Sequence, residues 1–442
     1  MFQIPDIYFY RLHHPRPRFK NNIENILGYM AFSIAELDGL QEKEFIERLL
    51  EAIHNFRGNE KLVKKTINNW RTEISAIFSM ILVENKCVLA TDLTKKLADT
   101  MNLREFFLRI LCTFQYPAGF LKNHEIKKIV EANILFHPLL WISKFFTSNI
   151  PIEEKYLTDV EFCHCVLNDL RVSRDHEDIS ITIKRIILNR ANNVNYVNYG
   201  DIKRYALDLL DYCVLAGILI KDYNGKYFLK EDSLEFLKFF SANAYIFNEY
   251  TSNLSLSDIE QKKTNWIKYV NNNSSLLLAK FQDSIKEIDE ESISFSTKDI
   301  GDRGEALIVA HEKIWLLNND RSDLSRLVQL MPTKFSVGYD VLSRELDATM
   351  KHIEVKTTVS LKDFTVNRIH LTPNEWAAAE SFRERYYIYR IQLSEKSLKL
   401  WIIQNPVGLY KNDMLKMVPR NGADLFFDET CYKEVTLLRY HE

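Results

Sequence analysis

Three residues in the C-terminal third have types and spacing suited to chemistry: Asp340, Glu354 and Lys356. Glu354 and Lys356 lie in the β-branched stretch KHIEVKTTV. Side chains alternate between faces along a strand, so His352, Glu354 and Lys356 share one face, and Ile353 and Val355 the other. Two carboxylates and a lysine brought together suit phosphodiester hydrolysis. Asp340 and Glu354 would hold Mg²⁺, with Mn²⁺ as a substitute, and the Val355 carbonyl would add an oxygen ligand. Such a cation polarises a phosphoryl group and lowers the pKa of a bound water. Lys356 would orient that water or stabilise the developing negative charge. Glu305 would reach the metal directly or through water. The competing explanation is surface charge: an Asp and a Glu-x-Lys also fall at such spacings by chance.

These residues need elements to position them. STKDIGDRGEALIVAHEKIWLLNN predicts a helix with Glu305 in its first turns. KFSVGYDVLS predicts a short strand, with Val337 and Tyr339 on one face and Asp340 on the other. SRELDATMK becomes a hairpin connection, which leaves Glu345 and Asp347 outside the site. LTPNEWAAA opens a helix at Thr372 and Pro373, with proline at the first helical position and Glu375 capping or bracing it. Two more strand-like runs follow, giving the order α-β-β-(β)-α-β-β of a small mixed sheet flanked by helices.

The segments GDRGEALIVAHEK, VGYDVLS, HIEVKTT, LTPNEWAAA and YYIYRI…IIQNP, in that order, resemble the PD-(D/E)XK nuclease superfamily. They look most like the domain at the C-terminus of the plant protein NO VEIN and in many bacterial defence and restriction proteins. The resemblance spans residues 297–410. It implies a restriction-endonuclease-like fold, with the helix acid at Glu305, the metal aspartate at Asp340, the second acid at Glu354 and the lysine at Lys356. The proline of the family name is missing, since Tyr339 precedes Asp340; this branch commonly has Gly-Tyr-Asp. Duplex cleavage by such enzymes usually takes two active sites, so the resemblance also implies a homodimer.

The rest of the chain reads as recognition apparatus. Residues 1–150 are expected to be helical, including KLVKKTINNWRTEISAIFSMILVENKCVLA. A short helix capped by Thr91 or Asp92 and a following helix, LREFFLRILCTFQYPAGF, closed by Pro117 and Gly119, fit either a helix-turn-helix or a small bundle. In residues 151–250, Asp201 would cap a helix with Ile202, Tyr205, Ala206, Leu209 and Leu210 on one stripe, and Gly217 would stop it. Asn224-Gly225 then predicts a type I′ hairpin. A helix feeding a hairpin is the ending of a winged-helix domain, which commonly contacts duplex DNA. Lys203, Arg204, Lys221 and Lys226 are its candidate phosphate partners, or simply solvated charges. Lys362 and Arg368 flank the proposed catalytic site and are further candidates. HHPRPRFK near the start is either an arm along a DNA backbone or an exposed loop. Residues 251–296 form a helical connector, and 297–442 the nuclease domain. The remainder resembles the recognition half of some restriction endonucleases.

Bulk properties set the outer limits. A chain of 442 residues suggests two to four domains, and 46% hydrophobic with 27% charged residues allows buried cores. The formal net charge of -2 means that any nucleic-acid surface must be local. Six scattered cysteines form no disulfide framework, and the Cys163-His164-Cys165 triplet lacks the second ligand pair of a zinc site. No phosphate-binding GxxxxGK[ST] loop occurs, so no nucleoside triphosphate is expected to bind. The start lacks the charged end and apolar core of a signal peptide, and no apolar run reaches membrane-spanning length, so a cytoplasmic protein with no membrane association is expected. The chain is thus expected to be an α+β multidomain protein: mainly helical at the N-terminus, winged-helix in the middle, with a C-terminal mixed-sheet domain. Its expected function is Mg²⁺-dependent cleavage of double-stranded DNA in restriction or anti-phage defence. The rivals are a DNA-binding adaptor with an inactive nuclease fold and an RNase of the same fold. The winged helix favours duplex DNA over A-form RNA, whose major groove is closed to side chains.

Overall fold

Apolar residues recur at helical spacing through most of the first 290 positions, and helices form there in the computed structural model. It describes all residues except 18, 20–22, 57–72, 198–199, 287–296, 332–336, 360–366, 394–397 and 439–442. The chain is mixed α+β and divides into two compact units. One carries Met1–Ala98 and Leu103–Ile293, the other Asp99–Asn102 and Ser294–Glu442. No helix among the described residues is long and apolar enough to cross a membrane.

In the first unit, α1 (Ile23–Glu36) is buried along most of its length. α2 (Glu42–Asn55) buries Phe45, Leu49 and Ile53, four residues apart, as an amphipathic helix should. The helix expected to continue through CVLA does not. Instead β1 (Ile81–Glu84) and β2 (Cys87–Ala90) form an antiparallel hairpin, paired from Ile81↔Ala90 to Glu84↔Cys87. The reason is local. Asn85 and Lys86 both take positive φ, 50° and 63°, which is the pair a two-residue type I′ turn requires. Two helices follow, α3 (Asp92–Thr100) and α4 (Leu103–Leu111).

β3 (Tyr156–Thr158) joins a three-stranded sheet with a later hairpin, in the order β3-β5-β4. Before that hairpin comes α5 (Lys203–Leu215), with Ala206, Leu209 and Leu210 buried as the stripe predicts. Asp201 does not cap it. The helix follows a 3-10 turn at Gly200–Ile202, and the Asp201 carboxylate pairs with Arg204 at 2.9 Å. Gly217, with φ 68°, ends the run as expected. β4 (Leu219–Lys221) and β5 (Lys226–Leu229) then pair antiparallel. Their turn is not type I′: only Gly225 takes positive φ, at 77°. The Asp222 carboxylate accepts the N–H groups of Asn224 at 2.9 Å and Lys226 at 2.8 Å. That side-chain turn holds a three-residue loop with glycine in the left-handed position. α6 (Leu256–Lys286) occupies most of the expected connector. It buries Trp266, Tyr269, Val270, Leu277 and Phe281, so it belongs to the core of this unit.

The second unit begins with α7 (Thr297–Asn318). Its strands are β6 (Gln329–Leu330), β7 (Val341–Arg344), β8 (Met350–Val359) and β9 (Arg368–Leu371). After α8 (Pro373–Phe382) come β10 (Tyr386–Leu393) and β11 (Leu398–Gln404). α9 (Pro406–Lys411), β12 (Lys416–Pro419), β13 (Ala423–Phe426) and β14 (Lys433–Thr436) complete it. Six strands make one sheet in the order β14-β11-β10-β8-β7-β6; β8 and β10 run parallel and the other neighbours antiparallel. A second sheet has the order β12-β13-β9.

The strand expected over KFSVGYDVLS starts later than predicted, at Val341, because Gly338 turns the chain at φ 78°. Residues 332–336 of that segment lie outside the described residues. The hairpin expected between the strands is present, with Val341↔Ile353 and Arg344↔Met350 paired. Ile353 and Val355 are buried in a cluster with Ile308 and Leu316 of α7. Burying such side chains contributes about 1.5–3 kcal/mol each. A one-residue slip of β8 would exchange them for Glu354 and Lys356, so the apolar face fixes the direction of the polar one.

Candidate active site

The site forms where β7 meets β8. Gly338 lies so close to α8 that a Cβ there would overlap the Asn374 carbonyl. Tyr386 Oη donates to the Gly338 carbonyl at 3.0 Å. Glycine is therefore required two residues before Asp340, and the Gly-Tyr-Asp sequence has a steric reason. The Asp340 N–H donates to the Ile353 carbonyl at 2.9 Å. Its carboxylate Oδ2 accepts the Val355 N–H at 2.8 Å. The β7–β8 ladder ends at Val341↔Ile353, so on this edge of β8 the Asp340 side chain takes the next N–H in place of a strand. Within a strand the N–H and C=O of one residue point to the same edge, and the Val355 carbonyl is directed there too.

Glu354 and Lys356 share a face, as the alternation predicts. Lys356 Nζ lies 2.7 Å from Glu354 Oε1, and Glu354 is buried. Lys356 Nζ also lies 2.8 Å from Glu375 Oε2. Glu375 is the site member that sequence reasoning missed. It does cap α8, where Thr372 and Glu375 form a reciprocal capping box. Its second contact, to Lys356, has no local signal in LTPNEW, because it depends on α8 lying over β8. Glu305 is carried by α7. A Cβ on the preceding Gly304 would overlap the Thr357 hydroxyl of β8, so glycine there allows the close approach of helix and strand.

The electrostatics follow from burial. Glu305 is pushed up to about 7, first by burial and then by the charges of Asp340 and Asp302, with Lys356 opposing. Burial also raises Asp340, against the Val355 hydrogen bond and the Lys356 charge. Glu354 is held well above the ordinary carboxylate range by burial, which outweighs the attraction of Lys356, with Asp340 and Glu375 adding to the rise. Burial would lower the Lys356 ammonium, but Glu354 and Glu375 outweigh it and raise its value. Burial would likewise raise Glu375, yet Lys356 and the Thr372 bonds bring it below its usual value. Glu354 and Glu375 thus contact one ammonium, and Asp340 and Glu305 act on the cluster through their charge. Among the described residues, no three His, Cys, Asp or Glu side chains stand together at metal-holding spacing.

Other tempting residues are structural. The His352 ring stacks on Phe382 with centroids 3.7 Å apart and planes at 10°. Tyr386 and Tyr389 are buried in the apolar clusters of the sheet. Arg368 does not reach a phosphate surface. It is buried, and its Nη2 pairs with Asp424 Oδ1 at 2.7 Å, an oxygen that His370 Nδ1 also approaches at 2.9 Å. Apolar neighbours on β9, Ile369 and Leu371, carry this strand inward, which spacing in the sequence does not reveal. Lys362 lies outside the described residues.

In the first unit, Lys203 pairs with Asp159 at 3.1 Å and Arg204 with Asp201 at 2.9 Å. Lys221 pairs with Asp211 at 3.1 Å, and Lys226 Nζ sits 4.0 Å from the Tyr156 ring centroid. Surface pairs of this kind contribute about 0–1 kcal/mol, so a phosphate can compete for these cations. The HHPRPRFK segment is no free arm in its described part. His13 meets Glu125 at 3.0 Å, His14 meets the Tyr116 hydroxyl at 2.9 Å, and Arg16 pairs with buried Asp208.

The fold and the site define a mixed α+β protein with a helical first part and an acid-lysine cluster on a C-terminal mixed sheet. Residues 2–267 match the family model described as restriction endonuclease BpuJI, N terminal, and the chain belongs to that family. Residues 306–403, which include Asp340, Glu354, Lys356 and Glu375, are similar to the model of the protein NO VEIN C-terminal region. Among solved structures, the BpuJ1 endonuclease binding domain, determined in complex with pyrene- and phenanthrene-modified DNA, has the same fold. It is 23% identical with a TM-score of 0.54, and the match covers 60% of this chain and 98% of that one. No curated protein matches the chain.

Proposed function

We propose that this chain is a Mg²⁺-dependent DNA endonuclease of a restriction or anti-phage system. Residues 1–150 and 151–250 serve as helical and winged-helix recognition modules, α6 packs within the same unit, and 297–442 form a PD-(D/E)XK nuclease domain. The observation that carries this reading is the meeting of Asp340, Glu354 and Lys356 at the end of the β7–β8 ladder. Membership of a restriction endonuclease family over residues 2–267 supports DNA as the partner, as does the fold shared with a domain solved on DNA.

The residues present fit a hard divalent cation by their chemistry: all donors are oxygens, and negative charge exceeds positive. Asp340 and Glu354 would hold Mg²⁺, with the Val355 carbonyl and Glu305 as further oxygens and Mn²⁺ as a substitute. Bound there, the ion supplies Lewis-acid polarisation of the phosphate and eases deprotonation of water. The Val355 N–H orients the Asp340 carboxylate. Lys356 orients the attacking water or stabilises charge developing on the phosphate. Lys203, Arg204, Lys221 and Lys226 contact DNA phosphates. Two copies of the chain, each cutting one strand, act as a homodimer.

Incubation with plasmid DNA and Mg²⁺ tests this. Nicking or linearisation that disappears in Asp340→Ala is expected. Binding of DNA with no cleavage of any substrate, phage DNA with modified bases included, would instead identify an adaptor. Cleavage of RNA alone would identify an RNase.

A further inference from the structure

Glu375 joins two structures with one oxygen. Its Oε2 accepts the Thr372 N–H at 3.0 Å, closing the cap of α8, and lies 2.8 Å from Lys356 Nζ. On the other side, Lys356 Nζ lies 2.7 Å from Glu354 Oε1. The ammonium is therefore shared between a carboxylate assigned to the cation and one anchored at a helix start. A divalent cation on the Glu354 carboxylate would repel the ammonium at contact distance and favour its move towards Glu375. The lysine stem is flexible, whereas Glu375 is held by its cap.

We propose that Glu375 is a positioning residue that takes over Lys356 when a divalent cation takes Glu354. This rests on the metal-site reading above. Without cation, Lys356 is the internal counter-charge of the cluster. With cation, Glu375 keeps the ammonium in the site, beside the phosphate rather than on Glu354. Glu375 thereby sets both the affinity for the cation and the position of the lysine.

Titration of Mn²⁺ alone into the whole chain, followed by calorimetry, tests the exchange without relying on cleavage. Glu375→Gln keeps a side chain able to cap α8 but offers Lys356 no charge. Its Mn²⁺ affinity is expected to fall about tenfold, within the range found for outer-shell partners of metal ligands. Lys356→Met removes the competitor and is expected to bind Mn²⁺ at least as tightly as the parent chain. In that background, Glu375→Gln is expected to change affinity by less than about twofold, because its effect passes through the lysine. Unchanged affinity in Glu375→Gln alone would overturn the proposal. Equal losses in both backgrounds would overturn it too, since Glu375 would then act on the cation by itself. If the parent chain binds no Mn²⁺, the metal-site reading falls and takes this inference with it. Binding without coupling between the two substitutions removes this inference only.

Discussion

β8 carries two lysines on opposite faces, and their surroundings differ. Lys351 lies under α7, 3.3 Å from each Glu312 carboxylate oxygen. Glu312 also accepts from the Ser343 hydroxyl and the Tyr389 hydroxyl, both at 2.7 Å. The rings of Trp315 and Tyr387 stand about the same ammonium, at 4.9 and 5.0 Å. Partly exposed Glu345 stands 3.6 Å from the same ammonium, so one fully buried acid, one partly exposed acid and neutral donors make up the set. Lys356 instead faces Glu354 and Glu375 directly, with Asp340 and Glu305 close enough to raise or share their neighbours' charge. Breaking a buried pair such as Lys351–Glu312 is strongly destabilising. Around Lys356 several acids are kept together at a free-energy cost, a feature that functional sites share with structural ion-pair networks.

Substitutions can break this contrast. The largest expected effect is on stability at the matched pair. Glu312→Ala leaves the buried Lys351 charge with only partly exposed Glu345 and should destabilise the protein by about 3 kcal/mol in urea unfolding. Glu354→Ala relieves repulsion and leaves Lys356 its pair with Glu375, so the unfolding midpoint should stay near that of the parent chain. If the two classes were equally damaging, the contrast would be wrong.

Cleavage should respond in the opposite way. Asp340→Ala, Glu354→Ala and Lys356→Ala are each expected to reduce plasmid cleavage by roughly 10²–10³-fold or more while folding is retained. Next comes Gly304→Ala, which drives a methyl group into Thr357. A loss of about 1–3 kcal/mol is expected from the overlap, with lower cleavage as Glu305 moves outward. Thr357→Ala in the same chain should restore part of both.

The pH dependence of stability sharpens the mismatch further. Glu305 is raised from its ordinary 4.5 to about 7 in the folded protein. The folded state thus binds the extra proton between those values, so stability should fall as pH rises from 4.5 through 7. Glu305→Gln should flatten that slope in unfolding midpoints measured across the range. The smallest effect is expected outside both clusters. Lys226→Ala should weaken DNA binding slightly and lower the salt slope of the binding constant by about 1, with the acid-lysine cluster unchanged.

Much of the site could be read from residue order, because strands alternate and helix starts have local rules. Alternation in HIEVK placed Glu354 and Lys356 together, and Thr372-Pro373 marked the start of α8. Hairpin chemistry was less legible. Asn224-Gly225 looked like the type I′ turn, yet Asp222 captured the backbone and made a longer loop. The type I′ turn lies at Asn85-Lys86, inside a segment whose apolar residues also fit a helix.

By itself, then, the sequence determined the faces of β8, the helical first part, the hairpin after α5 and the meeting of Glu354 with Lys356. These depend on spacing along one segment. The tertiary structure alone decided that Glu375 reaches Lys356, that Gly304 and Gly338 are points of close approach, and that Arg368 turns inward to Asp424. Each of those depends on which element lies over which. The buried apolar faces settle that collectively, and no short stretch of residues encodes it.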